Sequence, residues 1–249
     1  MSSLSADIVV SDITIPTDDG AIPGFRAMPA TGGPFPTVLS VSEIWGVRYH
    51  VRDICIALAK AGYFAVAPEL FTRQGDVYAF KEAEPLLKSV ISKKTDADVH
   101  RDLDATMAWI GTTGQADMQR IGINGYCYGG RQVWLYLACS RAFSAAVSWY
   151  GGPLAATPTL ACPRNPMDVA AEIETPTLGI FGDRDHVINN ESIADFRRKL
   201  TAAEKTFEFV VYPGAPHSFA AEAGPHYHER ETADGWQRML AWLRQHGVG

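Results

Sequence analysis

The chain has 249 residues, 47% of them hydrophobic and 20% charged, enough to bury one large core in a single domain spanning residues 1–249. Its formal charge of −6 comes from interspersed acids and bases with no basic block to follow a phosphate backbone, which excludes nucleic acid as a partner. No apolar run approaches a membrane span, and the start, Met1-Ser2-Ser3-Leu4-Ser5-Ala6-Asp7, has no basic segment before an apolar one, so a cytoplasmic protein with no membrane partner is expected.

In chain order, short β-rich runs alternate with helical patterns, which implies a mostly parallel central sheet flanked by helices on both faces. Residues 8–15 and 24–28 read as two opening strands around the turn at Asp18-Asp19-Gly20, and 37–41 as a short buried strand. A helix over 48–60 is stopped by Gly62, and the apolar run Tyr63-Phe64-Ala65-Val66-Ala67 is ended by Pro68. Helices follow over 80–93 and 96–110, then a strand over 121–124 and a helix over 131–139. Strands at 145–149, 177–181 and 207–212 alternate with helices at 193–203 and 232–245, and these late strands are expected to sit in the sheet in sequence order. The stretch 151–171 carries Pro153, Pro158, Pro163 and Pro166 without periodicity and reads as a long ordered loop.

Chemistry concentrates at three places that follow predicted strands. Gly125-Tyr126-Cys127-Tyr128-Gly129-Gly130 has the form of a nucleophile elbow with cysteine at its apex: small residues permit a sharp strand-to-helix turn that exposes the side chain. The helix N-terminus there favours the thiolate, which is the attacking species. Gly182-Asp183-Arg184-Asp185-His186 follows the 177–181 strand, where an acid that orients a catalytic histidine belongs; Asp185 fits the glycine-to-acid spacing of such hydrolases and is put ahead of its competitor Asp183, which otherwise caps the turn. Tyr212-Pro213-Gly214-Ala215-Pro216-His217-Ser218-Phe219 places His217 on a loop at the same sheet edge, giving the chain order nucleophile, acid, base.

The other candidates read as structural. His50, His100, His186 and His246 are expected to be solvated, and Cys55, Cys139 and Cys162 lack C-x-x-C spacing and read as reduced structural thiols. His226 and His228, two apart, diverge in direction, so neither a metal nor another cofactor is expected.

Together these residues make the chain resemble the dienelactone hydrolase (carboxymethylenebutenolidase) family, whose members carry a Cys-His-Asp triad on an α/β-hydrolase fold. The resemblance covers nearly the whole chain and includes Ser42-Glu43-Ile44-Trp45-Gly46-Val47 and Ala67-Pro68-Glu69-Leu70 after early strands, and Asp234-Gly235-Trp236-Gln237-Arg238-Met239-Leu240 in the last helix. It implies that Glu43 is a carboxylate beside the thiol able to take its proton, and that the backbone N–H groups of Ile44 and Tyr128 form an oxyanion hole. Family members bind a substrate carboxylate with two arginines; here Ala221 stands at the place of one, and Arg73 is the nearest counterpart of the other. The aromatic residues Trp45, Tyr126, Tyr128, Trp149 and Tyr150 lie beside predicted strand ends, so the expected substrate is a compact, partly apolar or aromatic ester or lactone, hydrolysed by a monomer or homodimer. The rival reading is a non-catalytic or redox-sensing protein that uses Cys127 as an oxidisable thiol.

Overall fold

The computed structural model of the chain describes residues 7–222 and 224–249. β1 (Ile8–Thr17) and β2 (Gly20–Pro29) form an antiparallel hairpin in which Thr17 faces Gly20 across the predicted turn. β3 (Phe35–Val41), β4 (Phe64–Pro68), β5 (Ala116–Tyr126), β6 (Ala145–Trp149), β7 (Thr177–Gly182) and β8 (Phe207–Tyr212) run parallel to one another. The eight strands form one sheet in the order β1-β2-β4-β3-β5-β6-β7-β8, so the late strands do follow chain order and the crossover lies between β3 and β4.

β4, β6 and β7 are buried at every position, because helices cover both faces and no solvent side requires polar alternation. α1 (Tyr49–Lys60) and α7 (Glu229–Gln245) lie on one face. α3 (Asp96–Thr112), α4 (Tyr128–Cys139) and α6 (Asn190–Ala202) pack in succession on the other, where the Trp134 ring of α4 meets Phe196 of α6 at 4.9 Å. Local signals set their ends: Thr95 and Asp98 close a capping box on α3, and Asn189 accepts from the Ser192 N–H at the start of α6.

Beyond shifts of up to four residues at element ends, three elements differ from the sequence reading. The helix expected over 80–93 is only α2 (Ala83–Ser89) followed by a tight turn at Ile91–Lys93, with Pro85 in its first turn. The 121–124 strand begins earlier, at Ala116, because a register shift opposite Phe35 and Thr37 lets a polar, half-exposed segment join the edge of the core. Within the 151–171 loop, Asn165 and Asp168 form a capping box with Pro166 at the first helical position, which makes the short α5 (Pro166–Val169).

Candidate active site

The elbow is built by close approach of backbones. A Cβ on Gly125 would lie 2.4 Å from the Gly129 carbonyl oxygen, and one on Gly129 would lie 2.1 Å from the Val41 carbonyl oxygen, so only glycine lets β5 turn into α4 against the end of β3. Cys127, between them, has φ 53° and ψ −115°, a sparsely populated conformation for a residue with a side chain. Such strain costs on the order of 1–3 kcal/mol and persists where surrounding structure enforces it. Here the Cys127 N–H donates to the Trp149 carbonyl and its own carbonyl accepts from the Arg131 N–H, pinning the turn at both ends.

The thiol is part-buried, and the His217 Nε2 lies 3.0 Å from its Sγ. On the far side of the ring, His217 Nδ1 is 2.7 Å from Asp185 Oδ2. Asp185 is fixed in turn, since its Oδ1 accepts from the Val187 and Ile188 N–H groups at 2.7 and 3.0 Å. Asp183 acts elsewhere, its Oδ1 accepting from the Gly214 N–H at 2.6 Å and so tying the acid loop to the histidine loop. Burial disfavours the charged His217 ring, but the hydrogen bonds to Asp185 and to the Cys127 sulfur outweigh it, and the ring's pKa is pushed up to about 10.

Glu43 follows β3 in a loop whose position is set by Glu69, which accepts from the Val47 N–H at 2.8 Å and from the Tyr78 hydroxyl at 2.6 Å. The Ile44 N–H has no acceptor among the described residues, and Tyr128 opens α4, where N–H groups have no intrahelical partner. The Tyr150 ring packs on His217 at 5.3 Å between centroids. Its hydroxyl is buried, and burial, then the neighbouring charges of Glu43 and Cys127, drive its pKa far above the usual phenol value. Tyr126 and Trp149 stack at 5.5 Å and, with His50 of α1 and Trp236 of α7, wall a cavity of about 690 Å³. Among the described residues no group of three or more His, Cys, Asp or Glu side chains is arranged to hold a metal ion.

Residues 22–247 match the Dienelactone hydrolase family. The chain belongs to that family. It is 47% identical over 97% of its length to a protein of Methylorubrum extorquens provisionally named carboxymethylenebutenolidase, covering 82% of that protein. A protein of Escherichia coli with the same provisional name is 42% identical over 97% of this chain and 89% of its own. The crystal structure of a provisionally named dienelactone hydrolase from Klebsiella pneumoniae superposes with a TM-score of 0.93 at 42% identity, over 96% of this chain and 99% of that one. The fold is therefore that of an α/β-hydrolase, as the sequence implied, and the chain is a member of a hydrolase family.

Of the residues singled out in the sequence, Cys127, Asp185 and His217 come together, whereas Arg73 goes elsewhere. Its guanidinium donates to both oxygens of Asp102, to Asp19 and to the Thr17 hydroxyl, and it lines a different cavity from the one beside Tyr126 and Trp149. Trp45 is partly buried and packed against the core. His50, His100 and His246 are not solvated as expected: each packs its ring against an aromatic neighbour, respectively Tyr126, Tyr136 and Trp242. Imidazole has an apolar body, and a lone histidine in a sequence does not disclose whether an aromatic face awaits it. His186 is exposed, with its ring 5.7 Å from that of His217. The sequence reading missed His50 in particular, whose Nδ1 lies 3.3 Å from Glu43 Oε1; its position one turn before Asp53 on a half-buried helix was the available signal.

Proposed function

We propose that this chain hydrolyses small ester or lactone bonds through a thioester on Cys127. The observation that carries the reading is the unbroken line from Asp185 through His217 to the Cys127 sulfur, at 2.7 and 3.0 Å, on a strained turn. The sulfur anion attacks the carbonyl carbon, and the resulting oxyanion meets the Ile44 and Tyr128 N–H groups. Collapse breaks the ester bond, and the protonated His217 ring gives its proton to the leaving alkoxide. The neutral ring then takes a proton from water, the hydroxide attacks the thioester, and the acid departs with the sulfur again anionic beside an imidazolium.

Before the first turnover the Cys127 thiol proton needs an acceptor. Glu43 fills that role, with the proton passing from Sγ to its carboxylate. Within a single domain, the cavity walled by Tyr126 and Trp149 is proposed to hold the non-reacting part of the substrate; Cys127 and His217 are not among its lining residues, and it adjoins the sulfur through Tyr126, the residue before Cys127. Asp53, Glu222 and Glu229 line it and no lysine or arginine does among the described residues, so it suits neutral, partly aromatic esters and repels a substrate carboxylate.

Trapping with a short activated aryl ester tests the mechanism: mass spectrometry is expected to find the acyl group on the peptide carrying Cys127, and Cys127→Ala to abolish turnover with its circular dichroism unchanged. Equal turnover by the variant, or no acyl adduct, rejects it. Between matched aryl esters with and without a carboxylate, the neutral one is expected to be preferred by at least about tenfold in kcat/KM. A preference for the charged ester refutes the pocket assignment.

A further inference from the structure

Glu43 is 7% exposed, and a carboxylate so enclosed needs a donor or a cation facing it. Among the described residues its side chain has one hydrogen-bond partner, the His50 Nδ1 at 3.3 Å. The two side chains are 10% and 14% exposed, so water does little to screen the contact. His50 is itself held: it sits in the first turn of α1, and its ring meets the Tyr126 ring edge-on at 5.1 Å, one residue before the nucleophile. Its remaining surface forms part of the wall of the 690 Å³ cavity. The imidazole thus stands between the carboxylate and the space where substrate is expected.

Resting on the reading of Cys127 as nucleophile, we propose that His50 is the positioning residue of Glu43: its Nδ1–H donates to the carboxylate and fixes its orientation, so that Glu43 stands ready to accept the thiol proton. The groups that face this pair come from every neighbouring element. Tyr126 ends β5, the Tyr150 phenol just after β6 feels the charges of both Glu43 and Cys127, Asp53 lies one turn along α1, and Glu222 and Glu229 line the same cavity as His50. The carboxylates that line the cavity, Asp53, Glu222 and Glu229, bring no donor, so the His50 N–H is what this wall offers to Glu43. Without it, the enclosed carboxylate would have no side-chain donor among the described residues and nothing to fix its orientation.

The ring geometry allows a test that mere volume cannot satisfy. Asparagine places an amide donor near the position of Nδ1, glutamine places it near Nε2, and phenylalanine keeps the ring without any donor. The rate of Cys127 alkylation by iodoacetamide is followed from pH 5 to 9 by peptide mass spectrometry, which separates it from Cys55, Cys139 and Cys162, and hydrolysis of a short aryl ester is followed in parallel. His50→Phe and His50→Gln are expected to slow alkylation at neutral pH and to lower kcat by about tenfold, with KM changed much less, while His50→Asn stays within about threefold of the parent. In a Glu43→Gln background the same changes at position 50 are expected to have no further effect, because the two residues act as one unit.

Equal alkylation profiles for the parent and the phenylalanine and glutamine variants overturn the proposal, as does an undiminished effect in the Glu43→Gln background. If His50→Phe does not fold, the asparagine and glutamine pair carries the same comparison. Alkylation reports on the thiol whether or not it is the nucleophile, and Cys127→Ala in the hydrolysis assay reports on the nucleophile, so failure of the one idea is distinguishable from failure of the other.

Discussion

Two clusters of enclosed charges differ in what they leave unmatched. Around Asp102 of α3, Arg73 donates to both carboxylate oxygens at 2.8 and 3.1 Å and the wholly buried Lys94 ammonium joins them, while the same guanidinium reaches Asp19 and Thr17. Every charge in that cluster meets its opposite. Around Asp185 the line runs through an imidazole to a sulfur and stops there, with no further side-chain partner on the sulfur among the described residues. A charge cluster closed on all sides holds elements together, whereas one that ends on a nucleophilic atom has a direction in which to react.

The largest expected effect is at Asp185. Asp185→Asn preserves the shape of the site but not the charge that orients His217, and kcat for ester hydrolysis is expected to fall roughly 10²- to 10⁴-fold with little change in unfolding temperature. An Asp185→Asn enzyme with parental kcat would place this site with the structural cluster.

Next comes the reverse experiment. Asp102→Asn leaves the Lys94 ammonium enclosed without its main counter-charge, and burial already lowers the lysine's pKa. Denaturant unfolding is expected to show a loss of about 3–5 kcal/mol. A loss of activity in the folded variant, with stability intact, would contradict a purely structural role for the Asp102 cluster.

The smallest effect is a displacement of one titration. The His217 pKa is raised from the ordinary 6.5 to about 10, so the ring keeps its proton through neutral pH and loses it as pH rises through that value. Proton donation to the leaving group is therefore expected to hold through neutrality and to decline on the alkaline side near pH 10. NMR of the imidazole should follow the same course, and Cys127→Ala, which removes one of the two hydrogen bonds that raise the value, should bring the titration toward neutrality. An unchanged titration in that variant would mean that the sulfur does not act on the ring.

Much of this was legible in the amino-acid order. Cys127, Asp185 and His217 each stand just beyond a strand rich in β-branched or aromatic residues, and parallel strands end on the same edge of a sheet, so the chain order alone predicts that the three meet. The glycines at 125 and 129 announce the sharp turn because no side chain fits where backbones touch. The limits of α2 and the early start of β5 were not legible, since Pro85 and the polar residues 117–120 suit several local structures and only contacts with the rest of the chain choose among them.

What tertiary structure alone decided is the partner of each isolated charge. Arg73 lies three residues beyond Leu70 and reads equally well as a substrate cation or a structural one; the choice depends on Asp102 and Asp19, brought to it from other parts of the chain. His50 reads as a solvated residue until the loop carrying Glu43 and the end of β5 close around it. Periodicity and motif report the backbone path, which follows from local sterics and from which residues avoid water. Pairing of charges and rings is set by directions and distances between distant segments, and those exist only once the sheet has formed.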